Sequence, residues 1–341
     1  MSLLVQMEKQ LGDFQLRVDF TAEDGVLSLL GASGCGKSMT LKCIAGICKP
    51  DKGRIVLNGV TLFDSAQHIN LPPQKRRVGY LFQQYALFPH MTVEQNLSIA
   101  VRDKQNAPAI VAEMVQRMQL AGLEQHLPHQ LSGGQQQRTA LARILVNAPE
   151  VLLLDEPFSA LDAPLRFQME TEVRRITQRF GKPTLMVSHD PEEVYRLSDR
   201  VAILAAGHVE SIGPKEQIFA QPQTRSGAIL TECRNISRIR PLEGGKIRAL
   251  DWGVTLPEIG PGYDCVGIRA RDIRPGPDVP CHVTSVMENP FSVTVQLHPD
   301  GADPQAALIW ELDKTQWAAL QGAEVSVCLP AAALQHLKES L

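Results

Sequence analysis

Between Gly31 and Ser38 the chain reads GASGCGKS, the pattern G-x-x-x-x-G-K-[ST]. Every residue type in it suits the capture of phosphate. Glycines let the backbone curl until successive N–H groups point inward at phosphate oxygens, and a helix opening behind the loop adds the positive end of its dipole. Lys37 is placed to reach the β- and γ-phosphates of a nucleotide, and the Ser38 hydroxyl to ligate magnesium. The candidate nucleotide contacts are therefore Gly31, Ala32, Ser33, Gly34, Cys35, Gly36, Lys37, Ser38 and Met39. Because Cys35 lies inside the cradle, a bulky group on its thiol is expected to block nucleotide binding. Further on, VLLLDEP at 151–157 ends in two carboxylates. Asp155 is placed to hold magnesium through water, and Glu156 to orient an attacking water or accept its proton. His189 follows the apolar run TLMVS, where it can hydrogen-bond the γ-phosphate and position that water. A carboxylate pair often caps a helix and a lone histidine is most often structural. The phosphate loop upstream is what gives these residues weight.

The elements that must hold such residues are legible around them. Val26–Leu30 reads as the strand before the loop, and Met39–Ala45 as the helix after it. IVL at 55–57, VGYLF at 78–82, VLLLD, TLMVS and VAILAA at 201–206 read as buried strands, with amphipathic stretches at 109–118 and 170–179 between them. Uninterrupted apolar strands separated by helices predict an α/β sheet covered on both faces, with ligands at the carboxyl ends of its strands. From about Thr231 short β-type runs take over: CVGIRA, CHVTSV, SVTVQL, AALIWEL and EVSVCLP, with turns such as IGPG at 259–262 and RPGP at 274–277. That texture predicts a small barrel, with a boundary between Gln221 and Arg234. At 341 residues the chain suits two domains. It is 44% apolar and 21% charged with a net charge of −3, a balance that offers no general attraction to nucleic acid or anionic membrane. The apolar runs are strand-sized, far short of the ~20 residues that span a bilayer. The opening MSLLVQMEKQ lacks the features of a secretory signal, so the chain is expected in the cytoplasm. Seven scattered cysteines without a CxxC pair argue against a disulfide framework or a zinc site.

LSGGQQQR at 131–138, lying between the two nucleotide motifs, resembles the signature of the ABC ATPases. The family's other elements stand in order: Gln83 in YLFQQYALFPH matches the Q-loop, SALD at 159–162 the D-loop, and VSHD at 187–190 the H-loop. The resemblance covers residues 1–225 and implies a P-loop ABC ATPase domain with a helical subdomain at about 84–145. It implies ATP and Mg2+ as cofactors, with Ser38, Gln83 and Asp155 at the metal and Glu156, His189 and Gln83 around the attacking water. It further implies that Ser132, Gly133, Gly134 and Gln135 face a nucleotide held by the other copy of a head-to-tail homodimer. Tyr85–His90 would then be a surface for a helix of a membrane permease. One departure concerns adenine, which the family stacks on an aromatic residue. KQLGDFQL has Leu11 at that place, and Phe14 is the nearby substitute, although its alternation with Leu16 and Val18 also suits the core.

GIRARDIRP at 267–275 is similar to a segment of the TOBE domain, an OB-like β-rich module behind many importer ATPases, with Ala270 where proline is usual. The implied second domain is 230–341, either aiding dimerisation or sensing the cargo. Arg269 and Arg271 there could serve an oxyanion, or simply form a solvated face. The whole then resembles an importer subunit at the cytoplasmic face of the cell membrane, served indirectly by a solute-binding protein. GRIVLNG at 53–59, KRRVGYLFQ and ALFPH look most like the molybdate-importer ATPases; sulfate, iron(III), polyamine and sugar importers share much of this. A soluble ABC ATPase acting on DNA or ribosomes is opposed by the single cassette without heptads, and a module without catalysis by Glu156 and His189.

Overall fold

The computed structural model describes residues 1–339 except Ala160, Asp162, Glu258, Ile259 and 321–323, with the backbone alone for Ala163. Two members of the D-loop match, Ala160 and Asp162, and the start of the IGPG turn thus lie outside the described residues. The chain separates into two compact units, Met1–Lys215 and Glu216–Leu341.

In the first unit five strands run parallel, in the order Arg200–Ala205, Gly25–Leu30, Pro183–Ser188, Val151–Asp155 and Val78–Leu81. Val151–Asp155 and Pro183–Ser188 are buried at every residue, as strands covered on both faces must be. Their carboxyl ends deliver Asp155 and Ser188, so Glu156 and His189 emerge at one edge. The helices include Lys37–Ala45 behind the phosphate loop, then Val93–Ser98, Ala107–Arg117 and Gly133–Leu145, and Ala163–Phe180 after the carboxylate strand.

The parallel strands of this α/β sheet are joined by a larger antiparallel N-terminal region. Ser2–Leu11 and Phe14–Glu23 are ten-residue strands forming an antiparallel hairpin; with Lys52–Leu57, Val60–Asp64 and Ile69–Asn70 beyond it, and His208–Pro214 joining it to the parallel strands, they complete an eleven-stranded mixed sheet. Leu16, Val18, Phe20 and Ala22 are buried while the residues between them are exposed. That period of two is the pattern of a sheet packed on one face only, where the parallel strands show continuous apolar runs.

The β-rich second unit is present as two antiparallel sheets. One orders Val254–Leu256, Ile247–Ala249, Asn235–Pro241, Cys265–Ile268 and Gln335–Leu337; the other Leu308–Asp313, Ser292–Pro299, Arg274–Glu288 and Glu324–Cys328. They share a core around Trp252 and Trp310. The Asn235 side chain joins the sheets, donating to the Ile309 carbonyl at 2.8 Å and accepting the Ile309 N–H at 2.6 Å. Arg225–Leu230 is tied to the end of the chain, its first N–H donating to Lys338 O at 2.9 Å.

Candidate functional site

The phosphate loop is shaped by two glycines that no other residue replaces without strain. A Cβ on Gly31 would stand 2.3 Å from the Leu204 carbonyl oxygen. Gly36 has φ +104°, and a Cβ there would stand 2.5 Å from Leu16 Cδ1. Lys37 is buried, and its ammonium donates to the carbonyls of Gly31 at 2.6 Å and Ala32 at 2.9 Å, so the cation is held within the loop. Ser38 opens the helix and its hydroxyl donates to Asp155 Oδ1 at 2.7 Å across 117 residues of sequence. The loop and the carboxylate strand therefore meet. Asp155 Oδ2 accepts from the Tyr80 hydroxyl, also at 2.7 Å.

Glu156 sits at φ +45°, a left-handed conformation uncommon for a residue with a side chain and frequent where a site holds one group against its preference. Its N–H donates to Val187 O at 3.0 Å, and its carboxylate lies 3.4 Å from His189 Nδ1. The carbonyl of Glu156 accepts from the Ser159 hydroxyl at 3.1 Å, which in turn accepts from the Gln83 amide at 3.0 Å. Gln83, Ser159, Glu156 and His189 thus form one chain of contacts, and His189 keeps an exposed ring.

Hard oxygens at Ser38 and Asp155, converging beside a phosphate loop, fit a magnesium ion. Among the described residues no cluster of three or more His, Cys, Asp or Glu could cage a metal.

Ser132 is the N-cap of Gly133–Leu145: its hydroxyl accepts from Gln135 N at 3.3 Å and its N–H donates to Gln135 Oε1 at 2.9 Å. The first turn carries no acidic side chain beside the positive end of the helix. A Cβ on Gly134 would press to 3.1 Å from Met169 Sδ, which explains a small residue there.

Cys35 is buried, and burial pushes its thiol pKa up against the opposing pull of Lys37. The expected reaction with bulky thiol reagents is accordingly slow, because the thiolate is the reactive form. Phe14 is half-buried and packs on the core, its ring reaching toward Gly207, where a Cβ would meet Phe14 Cζ at 3.1 Å. In the Q-loop segment, Tyr85 points inward while Phe88 is 44% exposed beneath the Arg143 guanidinium, 5.2 Å from its ring centroid. Sequence reading passed over Tyr80; its signal was a hydroxyl set inside the apolar run VGYLF, one strand away from the carboxylates.

Residues 16–159 match the family model described as ABC transporter. The chain is 41% identical over 299 residues to the molybdenum import ATP-binding protein ModC of Rhodospirillum rubrum, covering 86% of this chain and 79% of that protein. It is 41% identical to the sulfate/thiosulfate import ATP-binding protein CysA of Synechocystis (65% and 63%) and 44% identical to the spermidine/putrescine import ATP-binding protein PotA of Methylococcus capsulatus (62% and 54%). The chain spans less than two thirds of the length of these last two. Among solved structures, the dimeric post-hydrolysis state of the ATP-binding cassette MJ0796 bound to ADP and Pi aligns with 63% of this chain and 99% of its own, at 27% identity and a TM-score of 0.52. Fold and site define a nucleotide-binding α/β cassette, with Ser38, Asp155, Glu156 and His189 gathered at one sheet edge. The chain belongs to the ABC transporter family, among its importer-type ATP-binding proteins, and it is an ATPase.

Proposed function

We propose that two copies of this chain bind and hydrolyse ATP at the cytoplasmic face of a membrane, driving import of molybdate or a related oxyanion through separate permease subunits. The observation that carries the ATPase reading is the meeting, in one place, of Lys37, Ser38, Asp155, Glu156 and His189 from distant parts of the chain. Lys37 and the loop amides bind the β- and γ-phosphates. Ser38 and Asp155 would hold magnesium, which supplies positive charge against the phosphate oxygens. Glu156 accepts a proton from the attacking water while His189, 3.4 Å from it, orients the γ-phosphate. Gln83, joined to Ser159, relates this centre to the Tyr85–His90 segment, whose exposed Phe88 is a contact for a permease helix. Ser132, Gly133 and Gly134 complete the site of the other copy, so hydrolysis opens the pair.

Support for molybdate comes from the molybdenum importer protein, which matches this chain over the largest share of the three relatives described. Sulfate and polyamines, the cargoes named for the others, are the second reading. The test is ATP turnover with permease subunits and a loaded solute-binding protein, measured with molybdate, tungstate and sulfate. Stimulation by the molybdate-loaded system is expected. Stimulation only by a polyamine or sugar system would keep the ATPase and discard the oxyanion.

A further inference from the structure

We infer that Tyr80 is a positioning residue for the magnesium-holding carboxylate. Its hydroxyl donates to Asp155 Oδ2 at 2.7 Å, while Ser38 engages the other oxygen, Oδ1, at 2.7 Å. The last torsion of an aspartate is broad and roughly two-fold, so a carboxylate held from one side only is free to turn. Two donors on two different oxygens fix it. Tyr80 thereby dedicates Oδ1 to the phosphate loop and keeps Oδ2 out of competition. Its own place is fixed twice over. Val78–Leu81 pairs in parallel with Val151–Asp155, bringing Tyr80 opposite Leu153, and its ring lies on Phe82 with centroids 4.4 Å apart. Outer partners that orient a metal's ligands typically contribute about 10-fold or more to metal affinity.

This assignment rests on the reading of Asp155 as a metal-holding residue, and one experiment separates the two. The affinity of a non-hydrolysable ATP analogue is titrated against Mg2+ for the full chain, Tyr80→Phe and Asp155→Asn, with thermal melting of each. Tyr80→Phe keeps the ring and its packing. It is expected to melt with the wild type, to bind the analogue without metal as the wild type does, and to need about 10-fold more Mg2+ to reach half of the metal-induced tightening. Asp155→Asn is expected to lose most of that tightening. A Tyr80→Phe protein with the wild-type Mg2+ midpoint, beside an impaired Asp155→Asn, overturns the role of Tyr80 alone, and so does a lowered melting temperature at unchanged midpoint. An Asp155→Asn protein that responds to Mg2+ like the wild type overturns both.

Discussion

Glu156 combines three features seldom found on one residue: a left-handed backbone, a carboxylate facing His189, and a carbonyl tied through Ser159 to Gln83. The strain is maintained by the hydrogen bond to Val187 and points to a group held for chemistry rather than packing. Replacing its acceptor by an amide preserves shape while removing the base. Glu156→Gln should lower turnover by at least about 100-fold with ATP affinity retained, as read by steady-state kinetics beside equilibrium binding. Wild-type turnover in that variant would remove Glu156 from the water-activating role. At this scale the sequence was informative wherever chemistry is local. GASGCGKS declares itself because glycines and a lysine at that spacing have few other uses, and it lends weight to DEP, a carboxylate pair that alone often caps a helix. Tyr80 and Phe14 were harder to place, because the direction of a side chain on a strand depends on which neighbours the sheet assembles.

Among the elements, the helix Lys37–Ala45 carries the phosphate loop and ends at Gly46, whose φ of +80° lets the chain turn away. Its last carbonyls are held by Arg76, which is 1% exposed. The guanidinium donates to Cys43 O at 2.8 Å, Ile44 O at 2.9 Å, Leu71 O at 2.7 Å and Asn70 Oδ1 at 2.7 Å. Sequence analysis did not single out this residue within KRR at 75–77, yet the structure buries it as the anchor of the functional helix. Arg76→Met should destabilise the first unit by about 3 kcal/mol, since buried carbonyls lose a charged donor. Chemical denaturation of the whole chain measures this; a change within experimental scatter would mean that water replaces the guanidinium. The parallel strands were legible as unbroken apolar runs. The hairpin Ser2–Leu11 and Phe14–Glu23 was not, because alternation over a surface strand resembles ordinary polar sequence until its partner strand is known.

For the molecule as a whole, the decisive feature is the helix Gly133–Leu145, whose N-terminus is capped by Ser132 and carries no acidic residue in its first turn. A positive helix end favours a nearby anion, and in the proposed pair that anion is the γ-phosphate on the other copy. The change of texture near Thr231 put the expected boundary between Gln221 and Arg234, whereas the compact units part at Lys215 and Glu216, and the arrangement of the second unit's strands in two sheets depends on pairings far apart in sequence. The head-to-tail pairing makes each site a composite, and composite sites can be complemented. Lys37→Ala lacks a working phosphate loop, and Ser132→Arg lacks a working signature; each alone should be inactive. In a mixed pair, one site combines the intact loop of the Ser132→Arg copy with the intact signature of the Lys37→Ala copy. The measurement is ATP turnover on mixing the two variants. The account predicts recovery that peaks at equal amounts, at about a quarter of the wild-type rate, because half of the pairs are mixed and each has one good site of two. Turnover by Ser132→Arg alone, or no recovery at any ratio although both variants are folded and pair, would contradict it.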